Sequence, residues 1–339
     1  MARKKINLAL QGGGAHGAFT WGALDRILQE PEIEIAGISG TSAGALNGAA
    51  VKAGMVRGGA QGARDTLDWL WSEVAGASTA SASPWFSGTW MSPAAISRGI
   101  EMSWPFTAAD SVSRVMSPYG WGPFYNNPLK PIVDKLDFDM VCSTKGPAFF
   151  VGATNVRTGK IRIFEGDDIS TDAILASACL PTLFRAVEIG DDAYWDGGYT
   201  GNPALFPLFA NSLPNDIVII NINPLERVEV PRSAQEIQNR INEISFNTSL
   251  FRELRAISFV QRLLEDGALK PGTMKNVLIH MIADDELMND LSVATKLVPV
   301  PSVLDALKQA GGRAADQFLN THLGDIGERS SVDLPRMFG

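Results

Sequence analysis

Cysteine and histidine are scarce in this chain of 339 residues, which has only Cys142 and Cys179 of the first and only His16, His280 and His322 of the second. Two cysteines cannot build a disulfide framework or a zinc ribbon, and such sparing use fits a reducing compartment. Positive charge is also in deficit, with 29 Lys and Arg against 37 Asp and Glu and a formal net charge of -8. That balance argues against nucleic acid as a partner, because binding a phosphate backbone needs clustered Lys and Arg. No apolar run approaches the roughly 18 to 20 residues that cross a bilayer. Arg3, Lys4 and Lys5 precede an apolar stretch, Ile6 to Leu10, that is too short for a secretion-signal core and lacks a small-residue cleavage site. The expectation is a soluble, cytoplasmic protein that meets membranes at most peripherally.

Short apolar runs are plentiful, and with 45% hydrophobic residues the chain can bury a large core. Runs at 6–10, 34–39, 148–156, 160–164, 216–223 and 276–283 read as strands, and helix-spaced segments lie between several of them. Phe19, Leu24, Ile27 and Leu28 recur at helical spacing within 18–29. The small residues of 43–53 make a helix that can pack closely on a sheet, and Leu67, Leu70, Trp71 and Val74 share one face of 63–75. Such alternation predicts a three-layer α/β/α fold around a largely parallel sheet. Beyond residue 230 the pattern turns helical, through Ile237, Ile241 and Ile244, then Leu250, Leu254, Ile257 and Val260, and later Val303, Leu307 and Phe318. The expected organisation is an α/β domain over 6–285 with 286–339 as a helical extension packed on it. An irregular insertion at about 76–127 holds Trp85, Trp90, Trp104 and Trp121, half of the eight tryptophans. A segment of that length and composition reads as a satellite hydrophobic cluster, a lid or a lipid-facing surface.

Three stretches carry chemistry. Gly40-Thr41-Ser42-Ala43-Gly44 fits G-x-S-x-G between an apolar strand and an Ala-rich helix, the context in which a sharp turn pushes one hydroxyl out above a sheet. Ser42 is therefore the candidate nucleophile, although a Gly/Ser turn capping a helix would look similar. Gly12, Gly13 and Gly14 follow the first strand, where bare amides can form a nest for a developing oxyanion. Such a run also suits a phosphate cradle, but no Lys-Ser or Lys-Thr pair follows it, and it offers the dinucleotide pattern G-x-G-x-x-G only as Gly12, Gly14 and Gly17. A serine needs a base, and none of the three histidines has an evident triad context. Asp196, followed by Gly197 and Gly198, is a candidate, although an acid before glycines is also common in β-turns. The pairs Asp167-Asp168, Asp191-Asp192 and Asp284-Asp285 lack calcium-loop spacing, and neither a metal nor an organic cofactor is expected.

Taken together and in this order, the three motifs resemble those of the patatin-like phospholipases, as does "ASACLP" at Ala176 to Pro181; the resemblance spans about residues 6–210. It implies a fold related to the α/β hydrolases and a Ser-Asp dyad, with Ser42 as nucleophile and Asp196 as base. Backbone amides of Gly12, Gly13 and Gly14 would form the oxyanion hole, with Gly40, Gly44, Gly197 and Gly198 as supporting residues. The implied substrate is a phospholipid or another acyl ester, cleaved as by a phospholipase A or an esterase, with transient contact at a membrane interface. One departure stands out: His16 occupies a position where the family commonly has Arg or Lys. Other readings are a triad of Ser42, Asp196 and His280, an acyltransferase or thioesterase using the same dyad, and a lipid- or nucleotide-binding module without catalysis.

Overall fold

The computed structural model describes residues 3–79, 92–103, 117–227, 229–270 and 272–338. Its eight strands are β1 Lys4–Leu10, β2 Ile33–Gly40, β3 Ala148–Asn155, β4 Ile161–Glu165, β5 Val187–Ile189, β6 Asp192–Asp196, β7 Asp216–Ile220 and β8 Leu278–Ile282. They form one sheet in the order β5-β6-β3-β2-β1-β7-β8, with β4 also paired to β3. β3, β2, β1, β7 and β8 run parallel, while β4, β5 and β6 are antiparallel additions at one side. The sheet is thus mixed and mostly parallel. Each predicted run overlaps a strand whose ends shift by a few residues, and β5 and β6 are additional short ones.

The central strands are buried on both faces, and their side chains alternate between two cores. Leu8, Leu10, Val218 and Ile220 join one core, whereas Ala9, Ile217, Ile219 and Ile279 join the other. On the first face pack α1 (Gly17–Ile27), α2 (Ala43–Thr79), α3 (Pro93–Glu101), α4 (Thr171–Ser177) and, later in the chain, Pro301–His322. The second face is covered by α5 (Ala234–Glu265) through Leu250, Leu254 and Ile257. Pro301–His322, here α6, lies against α1 so closely that a Cβ on Gly311 would strike the Phe19 carbonyl oxygen. The two helices expected within 43–75 are one run broken by a kink at Gly58 and Gly59.

The described parts of the insertion include regular elements. α3 is capped by the Ser92 side chain, and Pro118–Phe124 forms a 3-10 turn. Arg185 clasps that turn, donating to the Gly122 carbonyl at 2.6 Å and stacking 4.7 Å over the Tyr125 ring. Trp85, Trp90 and Trp104 lie outside the described residues. Among the described residues no helix is long and apolar enough to cross a membrane.

Register places the chemistry. Gly40, the last residue of β2, is paired with Leu10 of β1 and Val151 of β3, and Ala153 of β3 is paired with Asp196. The glycine run, the Ser42 turn and the carboxylate therefore gather where the parallel strands end, the usual place for a site in an open α/β sheet.

Candidate active site

Ser42 sits between β2 and α2 with φ +55, making it the positive-φ residue other than glycine among those described. A side chain in that region is strained, and it persists only where the surroundings fix it. Small neighbours permit the turn: a Cβ on Gly44 would strike the Leu10 carbonyl oxygen, and one on Gly40 would lie 2.5 Å from the oxygen of Gly44. Side chains then pin it. The Ser42 amide donates to Ser177 Oγ at 2.9 Å, and that hydroxyl donates to the Gly152 carbonyl at 2.7 Å. Thr41 Oγ1 donates to Gly201 at 2.7 Å and Ser39 Oγ to Ala204 at 2.6 Å, binding the turn to the segment that follows Asp196.

Asp196 ends β6 and is 2% exposed. Its amide donates to the Cys179 carbonyl at 2.7 Å, and its own carbonyl accepts from Thr154 Oγ1 at 2.8 Å. The carboxylate accepts the Gly198 amide at 2.8 Å and lines one cavity with Ser42. Burial pushes its pKa up to about 7, against the opposing pull of the Gly198 amide and the Ser42 hydroxyl. Gly197 and Gly198 allow the approach, since a Cβ on the first would strike the Gly152 carbonyl and one on the second would lie 2.5 Å from the Phe246 ring.

The glycine run is held by amide side chains. The Gly12 amide donates to Asn202 Oδ1 at 2.7 Å, and the Gly12 carbonyl accepts from Asn223 Nδ2 at 2.8 Å. Gln11 Oε1 accepts the amides of Ile222 and Asn223 at 2.8 and 3.0 Å. The Gly12 donor is thus occupied by Asn202. The amides of Gly13 and Gly14 meet no acceptor among the described residues. Gly12 instead supplies room, since a Cβ there would lie 2.7 Å from the Cβ of Ser42. Gly14 needs its lack of side chain for two reasons, a φ of +59 and the Lys296 carbonyl oxygen directly beside it.

A cavity of about 380 Å³ opens over these groups, lined by Gly13, Gly14, Ser42, Asp196, Leu180 and Phe246 together with polar Asn223, Glu243 and Lys296. No histidine lines it. His280 is buried in β8 and shares a 3.0 Å hydrogen bond with Asp216, while His322 pairs with Asp325 at 2.8 Å. His16 is buried against Thr295 Oγ1 at 2.8 Å, and burial followed by the Lys296 charge holds its pKa well below the ordinary value. It is a neutral structural residue.

Sequence reasoning did not single out Ser177, Asn202, Asn223 or Lys296. Ser177 lies inside the quoted "ASACLP" stretch, and Asn223 closes the run 216–223, so both were within sight of a signal. Lys296 had none, because only the packing of Val293–Leu297 beside Gly14 brings it here.

Residues 8–209, more than half of the chain, match the family model described as patatin-like phospholipase. No curated protein matches the sequence. Among solved structures, VipD from Legionella pneumophila is similar, at 15% identity and a TM-score of 0.43, over 94% of this chain and 67% of that one.

Proposed function

The chain belongs to the patatin-like phospholipase family, a family of lipid acyl hydrolases, and from that premise we propose that it cleaves acyl esters through a Ser42-Asp196 dyad and an acyl-enzyme. The observation that carries the reading is one cavity lined by Ser42, on a strained turn, and by the buried Asp196 carboxyl, whose pKa stands at about 7. A base poised near the working pH balances proton affinity against the fraction in the basic form. Ser42 gives its proton to Asp196 as its oxygen attacks the ester carbonyl. The amides of Gly13 and Gly14, with the dipole at the start of α2, stabilise the resulting oxyanion. Asp196 then passes the proton to the departing alcohol, leaving an ester on Ser42. Water, deprotonated by the same carboxylate, releases the fatty acid and restores the serine.

The substrate is a phospholipid or another acyl ester, reached by a cytoplasmic enzyme in transient contact with an interface. Exposed Tyr199 and Phe206, and Ile237, Ile241 and Ile244 along α5, support such contact. The test is a panel of p-nitrophenyl esters and phospholipids with wild type, Ser42→Ala and Asp196→Asn. The reading expects both variants to lose at least about a thousandfold in kcat. Undiminished hydrolysis by either variant would overturn it.

A further inference from the structure

Lys296 is a side chain that the dyad leaves unused. The residue lines the cavity beside Asn223 and Glu243, and its Nζ donates one hydrogen bond among the described residues, to Asn223 Oδ1 at 2.9 Å. An ammonium has three donors. Two N–H groups therefore have no acceptor among the described residues in a shielded site, an arrangement that is costly unless something else accepts them.

The surrounding charges do not cancel it. Glu243, the acid whose charge favours the ammonium, is already held by Arg227 at 2.8 and 2.7 Å and by Arg240 at 3.3 Å. His16 is uncharged, and Asp196 is the base of the proposed dyad. Burial disfavours the charged lysine and Glu243 favours it, so a second anion entering the cavity would meet a cation that lacks a full partner. Position adds to this. Asn223, which accepts from Lys296, donates to the Gly12 carbonyl, so the ammonium stands one side chain away from the glycine run.

We propose that Lys296 is the anion contact of this cavity, binding a phosphate group carried close to the scissile ester and so selecting phosphate-bearing acyl esters over neutral ones. The inference rests on the hydrolase reading given above.

The experiment compares kcat/KM for a monoacylglycerol phosphate and the monoacylglycerol of the same chain length, in wild type, Lys296→Met and Lys296→Arg. Wild type should prefer the phosphate ester. In Lys296→Met that preference should fall about tenfold or more, chiefly through KM of the phosphate ester, and Lys296→Arg should retain most of it. Glycerol 3-phosphate should inhibit wild-type hydrolysis of p-nitrophenyl butyrate competitively and should inhibit Lys296→Met far less. A preference unchanged in Lys296→Met, or an equal loss on both esters, would overturn the proposal. Should Lys296→Met hydrolyse neither ester, direct binding of glycerol 3-phosphate to Ser42→Ala and to Ser42→Ala/Lys296→Met decides it, equal affinity being the contrary result. Failure of the dyad would show itself separately, as hydrolysis of p-nitrophenyl butyrate by Ser42→Ala.

Discussion

At the scale of single residues, the account turns on one carboxyl group held away from water. In the proposed dyad Asp196 must be ionised to accept the Ser42 proton, and a pKa of about 7 sets where that happens. With an uncharged ester, kcat/KM should climb about tenfold per pH unit below 7 and level off above it, measured in buffers of constant ionic strength. The same group weakens the fold. A folded pKa raised from 3.8 to about 7 means that the native state keeps its proton longer than the unfolded chain, so stability falls as pH rises between those values. Asp196→Asn should therefore melt at a higher temperature than wild type at pH 8, by up to about 4 kcal/mol of stability at 1.36 kcal/mol per pKa unit, while losing turnover. His280 provides the contrast. Its bond to Asp216 is structural, so His280→Ala should lose about 2 kcal/mol of stability with kcat changed by less than about threefold.

Among elements, precision comes from side chains that tie one segment to another. Ser177 at the end of α4 fastens both the Ser42 amide and the Gly152 carbonyl. Ser177→Ala should lower kcat by about tenfold to a hundredfold with KM little changed, because small displacements of a nucleophile are costly. The strands and the G-x-S-x-G turn were legible because they are local: β1 and β2 are apolar runs, and Gly40 and Gly44 stand at fixed offsets from Ser42. Asn202 and Asn223 were not, since their roles depend on residues about 190 and 211 positions earlier in the chain. Nor could composition reveal that the Gly12 amide is committed to Asn202 or that Ile237, Ile241 and Ile244, although helically spaced, face solvent.

For the molecule as a whole, one core joins the catalytic sheet to the C-terminal helix. α6 contributes Leu304, Leu307 and Phe318 to the cluster that contains Leu8, Leu10 and Ile38, and its Gly311 touches the α1 backbone. Gly311→Val should cost about 3 kcal/mol or more in thermal or denaturant unfolding, as forced overpacking does. Net charge acts at the same scale. At -8 the chain is repelled by anionic lipid, so cosedimentation should be greater with zwitterionic than with anionic vesicles, and added salt should narrow the gap. Fold, strain and electrostatics each support the proposal that Ser42 is a nucleophile activated by Asp196. The most direct test is labelling with a fluorophosphonate ester across pH 5 to 9, read by intact mass and peptide mapping. The account predicts one adduct per wild-type chain, on Ser42, with a rate that rises through about pH 7. It also predicts no adduct in Ser42→Ala and labelling slowed at least about a hundredfold in Asp196→Asn. An adduct on another residue, or undiminished labelling in either variant, would contradict it.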